Sequence, residues 1–444
     1  MKIIIAGAAE VGTHLAKLLS REQMDVTLMD EDPERVSQFA LANMMTMEGN
    51  PTSIAALREA EVPKCDLFIA VTPNESKNIH ACILASNLGA RRTMARIDNY
   101  EMQKPENVEF YKKIGINRLV YPEMLGGEAV AQAINRPWAR MSFDLCNGHL
   151  LLLTVKVHEG APIVGHTLIE IGKEHPQYHI AAIKRGEEVI IPTGKDMVLS
   201  EDIVYFVVTP QYTEAVRIIC GKKQRNLQRV VMMGGTRLGI QACYFLGNRY
   251  EKLFIAPDRE TAEMLMEKVH DVKVVRGDYS DMQFLSELGL RSTDAFVALG
   301  DNSGSNVLAC LTAKKLGVGK TVAEVEDVAY IALAGNLNIG SVVNKKLYTA
   351  SSIYQLLLDA DKTSAKCFSL VDAEVADLVA QPGSRITQHP VKDLELPRGI
   401  TFGGLVRDNQ GQNITGDTVI QPGDHVVVIC MNELINRVEK LFVK

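Results

Sequence analysis

The chain has 444 residues, of which 46% are hydrophobic and 23% are charged, and its formal net charge is −6. This length exceeds what one hydrophobic core supports, so we expect two to four domains of ordinary soluble composition. The acidic balance excludes a broad basic surface for nucleic acid, and no apolar run approaches the roughly 20 residues that span a bilayer.

The first predicted elements are a strand, a glycine turn, a helix and a second strand. The apolar run Ile3–Ile5 predicts a strand that is buried on both faces, and apolar residues then recur every four positions from Val11 to Leu19, as on one face of a helix. A second apolar run predicts another strand, with Asp30 at its carboxyl end. This order of elements is typical of a dinucleotide-binding domain. Because the first strand follows Met1 directly, we expect no signal peptide.

The turn between the first strand and the first helix is the predicted phosphate site. Gly7 would allow a tight reversal, and Gly12 would let the helix lie close to the sheet. Backbone N–H groups at the helix start, together with its partial positive charge, would hold phosphates. Ala9 replaces the usual middle glycine, and Glu10 adds a negative charge nearby. The predicted phosphate-binding residues are Gly7, Ala8, Ala9, Glu10, Val11 and Gly12.

Asp30 is the predicted ribose ligand. Its carboxylate can accept hydrogen bonds from a ribose diol and would repel a 2′-phosphate, so the pattern favours NAD over NADP. The alternative is a doubly wound domain that kept the glycine turn for packing only.

Later strand ends of the first domain carry further candidates, because ligands bind at the carboxyl ends of such strands. A third strand ends at Glu48, before Gly49. The strand LFIAV ends at Thr72-Pro73-Asn74. Thr72 and Asn74 could contact a nucleotide, or these residues could serve only to form the turn. The strand TMARI carries Arg96, which could face a phosphate or form a surface salt bridge.

The pattern changes after Trp138. An extended apolar run from Leu150 to Val157 is followed by shorter strand-like runs that are separated by turns, with one helix-like piece near Thr167. This spacing predicts a small β-rich module of about 80 residues. A polar linker that includes Lys222 follows it.

The chain then repeats itself. Gly7 returns as Gly234, and the run DLFIAV at Asp66 returns as DAFVAL at Asp294, with nearly the same displacement along the chain. The small module repeats as well, because Asp202 near its end is matched by Asp424. Registration over both halves indicates two copies of one unit, each a nucleotide-type domain followed by a small domain.

The two copies differ at the predicted site. The position as far beyond Gly239 as Asp30 is beyond Gly12 is Pro257, so the second copy lacks the ribose acid of the first. Arg237 places a cation where the first copy has Glu10. The second copy is therefore either empty or holds a more phosphate-weighted ligand. Its predicted turn residues are Gly234, Gly235, Thr236, Arg237, Leu238 and Gly239.

No catalytic apparatus accompanies these turns. A dehydrogenase needs a proton donor beside the nicotinamide, and the small modules offer no histidine or lysine pairing of that kind. Histidines of the first small module lack metal-ligand spacing. The eight cysteines form no Cys-x-x-Cys pair, which is typical of reduced thiols in a cytoplasmic protein, and Cys82 and Cys310 are predicted to be buried packing groups.

These motifs resemble a known family. The run KIIIAGAAEVG with Asp30, the GNP at Gly49 and the run DLFIAVTPNESKN from Asp66 resemble the N-terminal regulator-of-potassium-conductance domain. The stretch from about Ser142 to Val208 resembles the matching C-terminal domain. Two such pairs in one chain resemble the cytoplasmic regulatory subunits of Trk-type potassium uptake systems.

The resemblance implies an α/β fold with a tandem duplication: two Rossmann-like, doubly wound parallel-sheet domains, each followed by a small α+β domain. We expect boundaries at 1–136, 137–224, 225–360 and 361–444. The nucleotide contacts that carry over from the family are the turn from Gly7 to Gly12, Asp30, Asn50, Thr72, Pro73 and Arg96.

The resemblance also implies a non-enzymatic role. Such proteins form rings, usually of four chains, and gate an integral-membrane potassium-translocating subunit at the inner face of the membrane according to bound NAD(H) or ATP/ADP. Two alternatives remain. One is an NAD-dependent oxidoreductase with an unrecognised substrate domain, and the other is a structural adaptor whose nucleotide folds are both empty.

Overall fold

The computed structural model describes residues 1–21, 24–40, 45–326, 337, 339–358, 366–370, 373–431 and 434–443. The chain divides into two compact units. The first consists of Met1–Glu128, Ile240–Ala242 and Asn344–Leu357, and the second consists of Ala129–Gly239, Cys243–Val343 and Leu358–Lys444.

The first unit is built on a parallel sheet of six strands in the order β3-β2-β1-β4-β5-β6. Isoleucines of the central strand β1 have no exposed surface, as expected for a strand that is covered on both faces. The strands are β1 (Lys2–Ala6), β2 (Asp25–Asp30), β3 (Met45–Glu48), β4 (Leu67–Ala70), β5 (Thr93–Arg96) and β6 (Arg118–Val120). The helices are α1 (Glu10–Arg21), α2 (Pro33–Ala40), α3 (Ile54–Glu59), α4 (Glu75–Leu88), α5 (Pro105–Lys113) and α6 (Pro122–Asn135), and the last of these runs into the second unit.

A second parallel sheet, in the second unit, has the order β14-β13-β12-β15-β16-β17. This is the order of the first sheet, so the predicted tandem duplication and fold class are confirmed. The strands are β12 (Arg229–Met233), β13 (Glu251–Ala256), β14 (Val272–Arg276), β15 (Ala295–Ala298), β16 (Lys320–Glu324) and β17 (Ser341–Val343). The helices of this second copy are α9 (Arg237–Leu246), α10 (Arg259–Lys268), α11 (Met282–Glu287), α12 (Ser303–Lys315) and α13 (Lys345–Leu358). Of these, Ile240–Ala242 in α9 and α13 as far as Leu357 belong to the first unit.

Two antiparallel sheets of five strands each form the small domains, in the orders β10-β9-β11-β8-β7 and β18-β19-β22-β20-β21. The first contains β7 (Met141–Leu145), β8 (Leu150–Lys156), β9 (Tyr178–Arg185), β10 (Glu188–Ile190), β11 (Ile203–Val208), α7 (Leu168–Glu174) and α8 (Thr213–Ile219). The second contains β18 (Lys366–Leu370), β19 (Ala373–Val379), β20 (Ile400–Arg407), β21 (Gln410–Asn413), β22 (His425–Met431) and α14 (Ile435–Phe442).

The small domains repeat an ion pair and share a core. Arg185 Nε donates to the buried Asp202 at 2.9 Å, and Arg407 Nε donates to the buried Asp424 at 2.8 Å. Apolar side chains of the first antiparallel sheet, including Leu152, pack in one cluster with those of the second. Among the described residues, none of the helices is both long and apolar enough to cross a bilayer.

Candidate functional site

The Gly7 turn joins the end of β1 to α1 in a tightly packed loop. Gly7 has a φ of +119°, and its N–H donates to the carbonyl of Met29 at 2.8 Å. A Cβ at Gly7 would lie 2.8 Å from the backbone nitrogen of Thr72, which follows β4. The turn therefore needs glycine for both its dihedral angle and its close approach to the neighbouring strand end.

Gly12 is required by the turn itself more than by the sheet. A Cβ at this position would lie 1.8 Å from the carbonyl oxygen of Gly7, whereas the nearest side-chain atom, on Val71, is 3.2 Å away. The first turn of α1 therefore packs directly on the Gly7 peptide. This packing aims the start of the helix at the loop where phosphates are predicted to bind.

Asp30 holds the glycine turn in place. Its side chain is 8% exposed; one carboxylate oxygen accepts the Ala8 N–H at 2.6 Å, and the other accepts the Asp32 N–H at 3.0 Å. Arg35 lies 4.0 Å from the same carboxylate. A carboxylate has about four acceptor positions, so these contacts leave capacity for a ribose hydroxyl.

A cavity of about 240 Å³ opens between these strand ends. It is lined by the predicted residues Gly7, Asp30, Thr72, Pro73 and Asn74. Asn74 also caps α4. Sequence reasoning missed the other lining residues, which are Glu31, Arg35, Pro51 and Lys77.

Lys77 and Glu31 form an ion pair of 2.5 Å that joins the start of α4 to the end of β2. The Lys77 side chain is 20% exposed and that of Glu31 is 54% exposed. The cavity therefore has two cations, Lys77 and Arg35, among its lining residues. Both can donate hydrogen bonds to phosphate oxygens.

Asn78 joins the ends of β4 and β5 through hydrogen bonds of its side-chain amide. It is 1% exposed; its Oδ1 accepts the Thr72 N–H at 2.9 Å, and its Nδ2 donates to the carbonyls of Thr72 and Arg96 at 2.9 and 3.0 Å. The second copy repeats this arrangement with Asn306. Asn306 follows Asn78 by the same displacement that relates the two DLFIAV-like strands, and that shared displacement is the sequence pattern that could have identified both residues.

Other predicted residues lie around the cavity rather than on its lining. Asn50 accepts the Thr52 N–H at 2.9 Å and closes the loop after β3. The Arg96 guanidinium contacts Asp98 at 3.4 Å. Ala8 and Val11 are buried; Ala9 precedes the helix, which begins at Glu10.

The second glycine turn has the same backbone and different surroundings. Gly234 has a φ of +95°, and its N–H donates to the carbonyl of Ile255 at 3.1 Å. Thr236 caps α9, since its hydroxyl accepts the Gly239 N–H at 3.4 Å. Ala9, at the matching position of the first copy, has no side-chain oxygen that could cap a helix. Of the remaining predicted residues, Arg237 is exposed and Leu238 is fully buried.

The residue that replaces Asp30 in the second copy is Ala256, not Pro257 as counting predicted. The carbonyl of Asp30 accepts the Gly49 N–H at 2.8 Å, and the carbonyl of Ala256 accepts the Gly277 N–H at 3.0 Å. The connection before β13 is thus shorter than that before β2 by a single position. The predicted loss of the acid stands, and Asp258 serves as the cap of α10.

The charged lining of the first cavity is replaced by neutral groups in the second copy. On this alignment Arg35 corresponds to Thr261 and Lys77 corresponds to Ser305. A Cβ at Gly235 would lie 1.9 Å from the methyl group of Thr261, so that methyl packs directly on the second turn. The second turn therefore differs from the first in the charge of its neighbouring side chains and in the methyl group that packs against it.

Cys82 and Cys310 are fully buried beneath the two parallel sheets. Their sulfurs lie 3.2 and 3.4 Å from the carbonyl oxygens of Met94 and Val322. Burial raises the pKa of Cys310 to about 12, and burial also raises the pKa of Cys82. Both are packing groups. Within the described ranges, no group of three or more His, Cys, Asp or Glu residues could hold a metal ion.

Comparisons with known proteins agree with this architecture. The TrkA-N domain family matches residues 3–122 and 230–345, and the TrkA-C domain family matches residues 152–221 and 375–443. The Trk system potassium uptake protein TrkA of Haemophilus influenzae is 29% identical over 451 residues, with coverage of 100% of this chain and 98% of that protein. The TrkA homolog of Archaeoglobus fulgidus is 27% identical, with both chains covered completely.

Solved structures share the fold at low identity. The GsuK RCK domain has a TM-score of 0.61 at 15% identity, covering 99% of this chain and 94% of its own. The GsuK channel bound to NAD has a TM-score of 0.61 at 16% identity, covering 99% of this chain and 78% of its own.

Proposed function

Because the chain belongs to the family defined by paired TrkA-N and TrkA-C domains, we propose that it is a nucleotide-binding regulatory subunit of a membrane potassium uptake system. The relatives that carry the name Trk system potassium uptake protein support this assignment. The proposal includes the four domains expected from the sequence, at 1–136, 137–224, 225–360 and 361–444.

One observation supports the proposal most: the two turns share a backbone, yet the first lies beside a charged cavity. A single copy of a dinucleotide-binding domain would be as compatible with an enzyme as with a sensor. Two copies whose glycine turns have different surroundings are more compatible with a sensor. In such a sensor one copy binds a ligand, and the other copy has a structural role. Binding shifts the protein between states only if the ligand contacts one state more favourably.

The cavity chemistry favours NAD(H) or ATP/ADP as the ligand. Asp30 offers acceptors to a ribose, while Arg35 and Lys77 offer donors to phosphates. Its volume of about 240 Å³ lies below the range of about 300–1,000 Å³ for small-molecule sites. A dinucleotide would therefore place one nucleotide here and extend along the strand ends. The structures of a GsuK channel bound to NAD and of GsuK bound to ADP support both ligand classes.

The partner in this proposal is an integral-membrane potassium-translocating subunit of the Trk type. The regulatory chain would assemble as a homo-oligomer, a ring of four chains, on the cytoplasmic face of the membrane. Nucleotide-dependent rearrangement of its domains would then control potassium flux. The proposal assigns no catalytic role to any residue.

Nucleotide binding by the purified full chain provides the first test. We expect NAD, NADH, ATP or ADP to raise the midpoint of thermal unfolding, since a ligand at 100 times its Kd stabilises the folded state by about 2.7 kcal/mol. Asp30→Ala should abolish that shift, whereas Arg237→Ala should leave it unchanged. Absence of a shift with all four ligands would favour the structural adaptor.

Potassium flux provides the second test. The chain would be added to vesicles that contain a Trk-type membrane subunit, and potassium uptake would be measured with and without nucleotide. We expect uptake to depend on both, and Asp30→Ala should remove the nucleotide dependence. Turnover of NADH with small carbonyl substrates would instead support the oxidoreductase.

A further inference from the structure

The ion pair of Lys77 with Glu31 lies on the lining of the nucleotide cavity, directly beside the residue assigned to the ribose. The Lys77 ammonium group contacts Glu31 Oε2 at 2.5 Å, and Glu31 follows Asp30 in the chain. Asn74 Oδ1 accepts the Lys77 N–H at 2.9 Å, which fixes the backbone of Lys77 in the first turn of α4. A carboxylate is therefore held against a cation that could otherwise serve phosphates alone.

The charged side chains among the described lining residues of this cavity cancel one another. The cations are Lys77 and Arg35, and the carboxylates are Asp30 and Glu31. Arg35 also has acidic neighbours, because its Nε lies 3.2 Å from Asp32 and its Nη1 lies 4.0 Å from Asp30. Such a lining attracts a highly charged ligand less strongly than a lining with cations alone.

A phosphate that reaches Lys77 also comes close to Glu31. An oxygen that accepts a hydrogen bond from the Lys77 ammonium group at about 2.8 Å would lie no more than about 5.3 Å from Glu31 Oε2, because the ion pair itself spans 2.5 Å. Like charges at that distance repel each other, and the half-exposed position of Glu31 weakens this repulsion without removing it. The repulsion increases with the charge of the phosphate group.

The candidate nucleotides differ in the charge of the phosphate group that they would present. A phosphate in the pyrophosphate bridge of a dinucleotide is esterified on both sides and carries about one negative charge, whereas the terminal phosphate of ADP or ATP carries about −1.5 to −2 at pH 7. Glu31 therefore opposes a terminal phosphate more strongly than a bridging one.

We propose that Glu31 is a specificity-determining residue that disfavours nucleotides with a terminal phosphate, so that the cavity prefers NAD(H) to ADP and ATP. The inference rests on the nucleotide-binding function proposed above and narrows its ligand class. Glu31 acts in two ways, since it neutralises Lys77 and repels the more highly charged group. Asp30 remains the ribose ligand for either class of nucleotide.

Calorimetric titration of the full chain with NADH, ADP and ATP, at low salt and without divalent cations, tests the proposal. We expect Glu31→Gln to raise the affinity for ATP about tenfold and that for NADH less than about threefold, because the amide keeps an acceptor for Lys77 but removes the negative charge. Glu34→Gln is the matched control, since it makes the same change on the exposed first turn of α2. It should alter the ratio of ATP affinity to NADH affinity less than about twofold.

Salt dependence gives an independent readout of the charge effect. At about 0.5 M NaCl the Debye length falls to roughly 4 Å, so the gain in ATP affinity from Glu31→Gln should shrink to less than about threefold. A lost structural contact would not respond to salt in this way. Because half-exposed ion pairs contribute little to stability, we expect the variant to fold as the unsubstituted chain does.

The outcomes separate this inference from the function on which it rests. Nucleotide binding with an unchanged ratio of ATP affinity to NADH affinity in Glu31→Gln would overturn the role of Glu31 and leave nucleotide binding intact. An equal gain for both ligands, or a gain of the same size in Glu34→Gln, would overturn that role as well. Absence of binding by all three nucleotides, in the unsubstituted chain and in the variant, would overturn both proposals.

Discussion

Substitution of Gly12 by alanine should open the first nucleotide-type domain locally. The new methyl group would lie 1.8 Å from the Gly7 carbonyl oxygen, whereas real Cβ atoms essentially never come within 3.0 Å of another heavy atom. Because both partners are backbone, α1 must move by about 1 Å or the turn must deform. Overpacking of this kind costs typically about 1–3 kcal/mol and more when backbone must shift. Better helix propensity offsets only about 1 kcal/mol of this cost.

Gly239→Ala in the second copy is the matched control. The methyl group would there lie 3.2 Å from the ring of Phe254, which can adjust by a few tenths of an ångström. We expect the gain in helix propensity to cancel most of that cost. The two variants thus make the same chemical change at equivalent positions with different consequences.

Hydrogen exchange of backbone amides in the full chain distinguishes the two variants, since it reports local opening free energies. We expect amides of β1 in Gly12→Ala to lose at least about 2 kcal/mol of protection. Amides of β12 in Gly239→Ala should change by less than about 1 kcal/mol. Nucleotide affinity should fall only in Gly12→Ala. Unchanged protection of β1 would refute the role assigned to the contact with the Gly7 carbonyl.

Three further predictions concern the two nucleotide-type domains and the first small domain. Asn78→Ala should destabilise the first domain by about 2–4 kcal/mol and weaken nucleotide binding, whereas Asn306→Ala should destabilise the second domain and leave nucleotide binding unchanged, as measured by hydrogen exchange and titration. Lys77→Gln should weaken nucleotide affinity about tenfold through a lost phosphate contact, with the exposed Lys64→Gln as its control. Burial lowers the pKa of His179 to about 4, so the unfolded chain binds the additional proton below about pH 6.5. The unfolding free energy should therefore fall by up to about 3 kcal/mol between pH 6.5 and 4, and His179→Gln should remove that portion, as measured by denaturant titration at several pH values.

Periodicity and repetition predicted most of the fold. The buried strand at Ile3–Ile5 and the matching sheet in the second copy follow from apolar runs, because parallel strands that are covered on both faces need them. Helix α5 (Pro105–Lys113) was not predicted. It buries none of its described side chains, so its sequence lacks a strong apolar stripe.

The candidate site was only partly predictable. The Gly7 turn and Asp30 follow a local pattern, whereas Arg35 and Lys77 reach the cavity from separate helices and have no shared spacing. Counting also failed at Pro257, because a single deletion before β13 shifts the register without altering the strand pattern. The hydrogen bonds from Gly234 to the carbonyl of Ile255 and from Gly277 to the carbonyl of Ala256 reveal it.

The Thr261 methyl group beside the second turn makes the divergence of the two halves hard to reverse. Ala256→Asp alone would restore a carboxylate beside the second turn, but it would face the methyl group of Thr261 instead of a guanidinium. The new acid would be desolvated without a cation, which disfavours its charged form. Restoring a charged lining beside the second turn therefore demands at least two coordinated replacements, one at Ala256 and one at Thr261.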